Sequence, residues 1–409
     1  MATIPTHTSK TIYISYMCDH SCVLAAALRA HGMPAEVLPM PNDETTTAGM
    51  EFCRGRECSP CMVTIGSYIR LARQPGFNPK QAVLFFPTAG GFCRFGQYEV
   101  LQRDILDQLG LQNLEIMSPD AENSYQGFGQ NPTRLRQLVW QGVVAVDLIQ
   151  KLLYEHRPYE LKPGQTDQLY QASLQRVVQT TEAGGGKQLH LAMQDIAEQF
   201  EALPIDHSKP RPLIGVVGEI FLRFNTYSNL ELIRAVEAIG GEVQLTTMME
   251  WFYYTNWVYL RNSRTRGQRL EWGKTWLTDL YQHYHEHRLV KPIAHLLRHK
   301  HEPPIARLMN NIRPYYEPRL GTESVLTMGK AIDMQQNGVC GIINVMPFSC
   351  MPGIITAGMA TRLRADLGNI PWLDIAFDAQ GGTNITTRLE AFIYQATEYQ
   401  RRLETTHTE

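Results

Sequence analysis

Eight cysteines stand in this chain of 409 residues, and the residues around them suggest a chemistry. Glu57-Cys58-Ser59-Pro60-Cys61 sets two thiols on a turn. Gly91-Phe92-Cys93-Arg94 sets one behind glycine, and Pro347-Phe348-Ser349-Cys350-Met351-Pro352 sets another between prolines. Each stretch follows a run that reads as a buried strand or its adjoining turn, so Gly and Pro rather than a helix fix the backbone there. Thiols held on such loops make a metal cradle. The expectation is an iron–sulfur cluster that handles electrons, held by these cysteines and others near the N-terminus.

Two other chemistries compete for the same residues. Structural zinc favours paired C-x₂₋₄-C knuckles, and only Cys58 with Cys61, or Cys18 with Cys22, has that spacing. Single thiols at Cys93 and Cys350 on separate units suit an iron–sulfur cubane better, because cubanes accept thiolates from scattered loops. Backbone N–H groups of Gly- and Pro-bearing loops can also hydrogen-bond cluster sulfide. A thioredoxin-like reading of Cys58-Ser59-Pro60-Cys61 has a helix behind it to lower a thiolate pKa. That reading leaves three further strand-end cysteines without a role.

The elements that would position these thiols alternate. Strands are expected at 11–16, 35–38, 81–86 and 114–117, with helices at 22–30, 44–52, 62–72 and 98–109 between them. Strand and helix in alternation imply a parallel sheet covered on both faces. Residues 134–203 carry apolar side chains at helical spacing and read as a connector, with Gly184-Gly185-Gly186 as an exposed turn. A second alternating stretch follows Pro210-Arg211-Pro212. It has strands at 213–217, 341–345 and 371–377, helices at 229–239, 322–336, 354–367 and 386–403, and a helical insert rich in aromatics and histidine over about 248–312.

The expected organisation is therefore an N-terminal α/β lobe over 1–133, a helical connector over 134–210 and a C-terminal α/β lobe over 211–409. In open parallel sheets function gathers at the carboxyl ends of strands. Cys18, Cys93, Glu219, Cys350 and Asp378 all fall there, and Glu219 and Asp378 are the candidate proton donors. Cys340 falls before its strand, at the opposite edge, and reads as a buried inert thiol. The histidines at 283, 285, 287, 295, 299 and 301 read as a solvated face. Trp251, Phe252, Tyr253, Tyr254 and Trp257 read as core or lobe interface. Asn384 and Arg388 read as cap and tether of the last helix.

Composition narrows the classes. A formal net charge of −2 offers no basic field for nucleic acid. No stretch approaches the roughly 18 apolar residues of a membrane span, and the polar N-terminus lacks a signal-like apolar region. Eight cysteines in such a chain point to metal or redox chemistry in a cytoplasmic protein rather than to a disulfide framework.

Together, the motifs at 57–61, 91–98, 218–220, 346–353 and 380–384 resemble the cysteine-bearing component related to 2-hydroxyacyl-CoA dehydratases and the C-terminal part of their large activase proteins. The resemblance runs from about residue 11 to 396. It implies flavodoxin-like lobes around a [4Fe-4S] cluster or, in one branch, around an [8Fe-9S] double cubane. It also implies a separate ATP-hydrolysing activator that injects low-potential electrons, and a homodimer. By motif, Cys58, Cys93 and Cys350 match the cubane ligands, and Cys18 and Cys61 are extra. That surplus favours the double cubane, whose two halves need about three thiolates each. Cys53 is kept as the sixth ligand and Cys22, one helical turn beyond Cys18, is dropped. No G-x-x-x-x-G-K-[ST] phosphate loop is present, so ATP would act through the partner. The implied function is a reductase component acting on a small molecule. The alternatives are a [4Fe-4S] dehydratase subunit and a non-catalytic electron relay.

Overall fold

The computed structural model describes residues 9–90, 93–119, 132–378 and 384–406. In chain order the elements begin β1 (Thr11–Ile14), α1 (His20–Ala30), β2 (Ala35–Val37), α2 (Asp43–Met50), α3 (Ser59–Ala72), β3 (Ala82–Phe85), α4 (Tyr98–Gln108) and β4 (Glu115–Met117). Three helices follow: α5 (Pro132–His156), α6 (Gln165–Glu182) and α7 (Lys187–Glu201). Then come β5 (Leu213–Gly218), α8 (Ile220–Phe224), α9 (Leu232–Ala238), β6 (Glu242–Leu245), α10 (Met248–Thr265), α11 (Arg269–Val290) and α12 (Ile305–Ile312). The chain closes with α13 (Glu323–Gln336), β7 (Gly341–Pro347), α14 (Met351–Asp366), β8 (Trp372–Phe377) and α15 (Ile385–Thr406).

Two compact units divide the chain. The first comprises Met1–Ile149, Gln171–Gln199 and Trp251–Leu296, and the second Gln150–Tyr170, Phe200–Glu250 and Leu297–Glu409. Each unit is an α/β lobe around one four-stranded, all-parallel, flavodoxin-like sheet. The strand orders are β2-β1-β3-β4 and β6-β5-β7-β8, the same permutation in both. Helices supply the connector and the insert. Among the described residues no helix is long and apolar enough to cross a membrane.

Burial explains the strands. β3, β5 and β7 are buried along their whole length, as continuous apolar runs must be when helices cover both faces of a parallel sheet. The core of the first unit gathers Ile12, Ile14, Leu28, Val83 and Phe85. That of the second gathers Val217, Met334, Ile342, Leu363 and Trp372. In the first unit α2 and α3 approach until backbone meets backbone: a Cβ at Gly66 would stand 2.0 Å from the Thr45 carbonyl oxygen, and one at Gly49 2.1 Å from that of Met62. This glycine-spaced hairpin holds the loop that carries Cys53 and Cys58. The aromatic insert packs within the same unit, where Trp140 lies edge-on to Phe252 and Tyr253 and donates its indole N–H to the Gln282 carbonyl at 3.0 Å.

Three local features differ from the sequence reading. α3 and α14 start directly after Cys58 and Cys350, three residues earlier than expected, with Pro60 and Pro352 in their first turns. Proline is suited to that position, because the N–H it lacks has no helical partner there. β6 and the short α8 were not expected at all. Cys340 sits where the sequence put it, immediately before β7 and inside the apolar core of its unit.

Candidate functional site

The strand order fixes where function can gather. In a 2-1-3-4 sheet the connections leave the first and third strands in opposite directions, which opens a crevice at their carboxyl ends. In the first unit those two strands are β1 and β3, and the loops leaving them carry Cys18 and Cys93. In the second unit they are β5 and β7, and their loops carry Glu219 and Cys350.

Cys18 lies two residues before the start of α1 and is only 2% exposed. Its sulfur is 3.4 Å from Nδ1 of His20, whose Nε2 is 3.0 Å from Oδ1 of Asp147 on α5. Burial alone would push the imidazole toward neutrality. The sulfur and the carboxylate on either side outweigh it and lift the His20 pKa to about 10. The result is a buried relay of sulfur, imidazolium and carboxylate. Burial, with Asp19 and Cys18 adding to it, raises the Cys22 thiol to about 11, which keeps it protonated at neutral pH.

Further along, Cys58 occupies the N-cap of α3 in extended conformation, and Cys61 lies in the first turn of that helix. Cys61 donates to Cys53. This bond holds the Cys53 pKa down, while the same bond and burial push that of Cys61 up. Cys58 also adds to the rise at Cys61, so the three sulfurs share one neighbourhood. Glu57 organises the turn by accepting from the N–H groups of Arg54 and Arg56 at 2.9 and 3.2 Å.

The Cys93 loop is tied to this turn at two points. Arg94 donates to the Arg56 carbonyl, and the Tyr98 hydroxyl hydrogen-bonds the Cys58 sulfur. Cys93 itself is exposed and caps the short 3₁₀ turn Arg94–Gln97. The rest of its motif, residues 91 and 92, lies outside the described residues.

In the second unit Cys350 is the N-cap of α14, behind Ser349 at φ +59°. It lines a small cavity with Glu219, Glu323, Asn344, Thr327 and Thr356. Gly218 lets β5 turn toward that cavity: its φ is +115°, and a Cβ there would meet the Val345 carbonyl oxygen at 2.0 Å. Glu219 then caps α8, accepting from Leu222 N–H at 2.9 Å. Glu323 reaches the same helix start through the Ile220 N–H.

Burial raises both carboxyls, and the proximity of Glu219 raises Glu323 further. Arg223, 3.9 Å from Glu323, offsets only part of this. Behind them runs a buried chain of charge. Lys330 contacts Glu250 at 3.4 Å and Glu302 at 2.6 Å, and Glu302 contacts Lys151 at 2.8 Å. The cations Arg223, Lys330 and Lys151 face the carboxyls Glu219, Glu323, Glu250 and Glu302. Burying Glu219 and Glu323 beside one another disfavours the ionisation of both.

The structure thus brings Cys53, Cys58 and Cys61 together, ties the Cys93 loop to them, seats Cys18 in its own relay and places Cys350 beside Glu219 in the second unit. Asp378 follows β8 and is exposed. The neighbouring motif at 380–383 lies outside the described residues. Arg388 donates to the Asp374 carbonyl at 2.6 Å and so ties α15 to β8.

Sequence reasoning missed His20, Asp147, Tyr98 and Glu323. Asp147 did leave a trace, as one acid inside the apolar run Val143-Val144-Ala145-Val146-Asp147-Leu148-Ile149. Glu323 left none, being an ordinary acid at a helix start. Of the histidines, His283 stacks on Tyr253 at 4.3 Å and His285 lies tilted against Tyr281 at 4.2 Å. No protein-family model and no curated protein matches the chain.

Proposed function

We propose that the chain is the iron–sulfur component of a cytoplasmic reductase system. It would receive low-potential electrons from an ATP-hydrolysing activator protein and reduce a small molecule at an [8Fe-9S] double cubane. One observation carries this reading: the switch point of each sheet is flanked by residues of redox or proton chemistry, Cys18 and Cys93 in one unit and Glu219 and Cys350 in the other. The proposed ligands are Cys18, Cys53, Cys58, Cys61, Cys93 and Cys350.

The donor set fits such a group. Cys58 and Cys350 take an extended N-cap conformation at α3 and α14, where backbone N–H groups and the helix dipole favour a thiolate, and Cys93 takes the same conformation before a short 3₁₀ turn. The hydrogen bond from Cys61 lowers the Cys53 pKa, and binding a metal would draw off thiol protons. When bound, the cluster supplies electrons at low potential.

The protein's own residues supply the rest. His20 holds a positive charge against the Cys18 sulfur, Tyr98 orients Cys58, and Glu219 with Glu323 keeps a proton at the Cys350 cavity. Asp378, exposed after β8, is the other proposed donor.

The Cys18–His20–Asp147 relay favours a second reading. If that sulfur stays with His20, five of the six cysteines remain, too few for two cubanes at about three thiolates each, and the three-ligand set implied by the resemblance, Cys58, Cys93 and Cys350, is favoured. This is the set expected of a [4Fe-4S] dehydratase-like subunit, or of an electron relay if no turnover accompanies it. Anaerobic purification with iron and sulfide counting separates these: about eight irons per chain for the double cubane, about four for a single one. Cys58→Ala is expected to lose iron while Cys340→Ala retains it. Equal iron in both variants would refute the assignment.

A further inference from the structure

Helix α11 carries apolar residues on a side that its own unit does not cover. Its buried side presents Thr275, Gln282, Glu286, Leu289 and Val290. Elsewhere on the helix Leu270, Leu277, Leu280 and Tyr284 are 81, 60, 55 and 57% exposed, and Trp276 beside them is 48% exposed. Leu270, Gly273, Leu277, Leu280 and Tyr284 follow one another at alternating intervals of three and four residues. That is the spacing of a coiled-coil seam. A contiguous apolar stripe of this kind left in water marks an interaction surface.

The order of sizes along the seam selects the occupant. Among the described residues nothing lies within 4 Å of where a Cβ at Gly273 would stand. If a second α11 ran parallel, Tyr284 would face Tyr284 and Gly273 would face Gly273, a clash and a void. If it ran antiparallel, Tyr284 of one copy would lie over Gly273 of the other, and Leu277 over Leu280. The seam is therefore complementary to its own reverse. Five exposed apolar side chains at roughly 100 Å² each give about 500 Å² per chain and about 1,000 Å² for the pair, the lower bound of a specific interface.

We infer that α11 is the contact of a two-fold dimer in which it packs antiparallel on α11 of a second copy of this chain. The inference is independent of any cofactor.

Sedimentation velocity of the full chain from 1 to 100 μM, as rough limits, tests it. A species of twice 46.5 kDa is expected to dominate at the upper end. Leu277→Asp is expected to weaken dimerisation at least tenfold with an unchanged circular dichroism spectrum. Gly273→Leu fills the space meant for Tyr284 and is expected to weaken it similarly. Adding Tyr284→Ala to Gly273→Leu moves the bulk to the other side of the seam and is expected to restore the dimer. A monomer throughout the range, or a dimer indifferent to Leu277→Asp, overturns the surface. A double variant no better than Gly273→Leu alone overturns the antiparallel register.

Discussion

Replacing Glu302 by Gln tests whether the buried charges of the second unit act as one balanced set. Glu302, 4% exposed, accepts from Lys330 at 2.6 Å and from Lys151 at 2.8 Å. At an effective dielectric near 20 each contact is worth roughly 6 kcal/mol of gross attraction, most of it offset by the desolvation of both partners. Glutamine keeps an acceptor oxygen but removes the charge, leaving Lys330 with Glu250 and the more distant Asp333, and Lys151 with Glu155. The expected loss is about 3–5 kcal/mol, the usual cost of stranding a buried partner.

Because the chain has two units, a single unfolding transition is not assured. Hydrogen exchange of the α13 amides reports the opening free energy of this region directly. A Glu302→Gln/Lys330→Met double variant removes one charge of each sign and is expected to lose at least about 2 kcal/mol less than the sum of the single variants. The two lysines also hold the Glu302 pKa below its ordinary value, although burial alone would raise it. Its stabilisation is therefore present above about pH 4.5 and fades as pH falls through the lower folded value. The gap between wild type and Glu302→Gln should close on acidification. A loss under about 1 kcal/mol, or additive single variants, would show that the contacts contribute separately and weakly.

Three further outcomes follow from the same geometry. Glu155 has the opposite sign to Glu302, since burial raises it from 4.5 to about 7 despite its hydrogen bond from Arg298 N–H. Its contribution is full below about pH 4.5 and lost as pH rises through 7, up to roughly 3 kcal/mol. Glu155→Gln is thus expected to stabilise the protein by about 1–3 kcal/mol at pH 8 and by almost nothing at pH 4, read from denaturation midpoints at the two values. Gly218→Ala is expected to cost at least about 3 kcal/mol, combining the positive φ with a Cβ driven into the Val345 carbonyl. Exchange protection at both β5 and β7 should drop, and unchanged protection would contradict the close approach. Asp147→Asn removes the carboxylate behind His20 and is expected to lower the imidazole pKa from about 10, observable in the ring-proton titration. A titration indifferent to the change would place the imidazolium's support on Cys18 alone.

Features whose signal is local are legible in the residues alone. Apolar runs at β3, β5 and β7 announced fully buried strands, because only a doubly covered sheet takes so many consecutive apolar residues. Helical spacing announced α5 to α7. Gly and Pro beside Cys350 marked a sheet-edge loop, and the position of Cys340 ahead of its strand marked the opposite edge, whereas the Cys58 turn follows no strand and joins α2 to α3. The starts of α3 and α14 were also legible in principle, since a proline two residues beyond an N-cap cysteine opens a helix as readily as it ends one.

Other features depend on partners far away in the chain, which no window of sequence contains. β6 has Glu242 and Gln244 among its four residues and looks unlike a buried strand. It is one because Glu242 is satisfied by Tyr159 and Arg298, each at 2.8 Å. His20 is held charged by Cys18 and Asp147, and the Glu323 carboxyl is raised by burial and by Glu219 beside it. Lys330 is buried as a cation only because Glu302 and Glu250 meet it there. Hydrophobic patterning records how each segment faces a core, and the sequence carries that record. A buried charge is stable only in the company of its counter-charge, and only the folded chain decides that company.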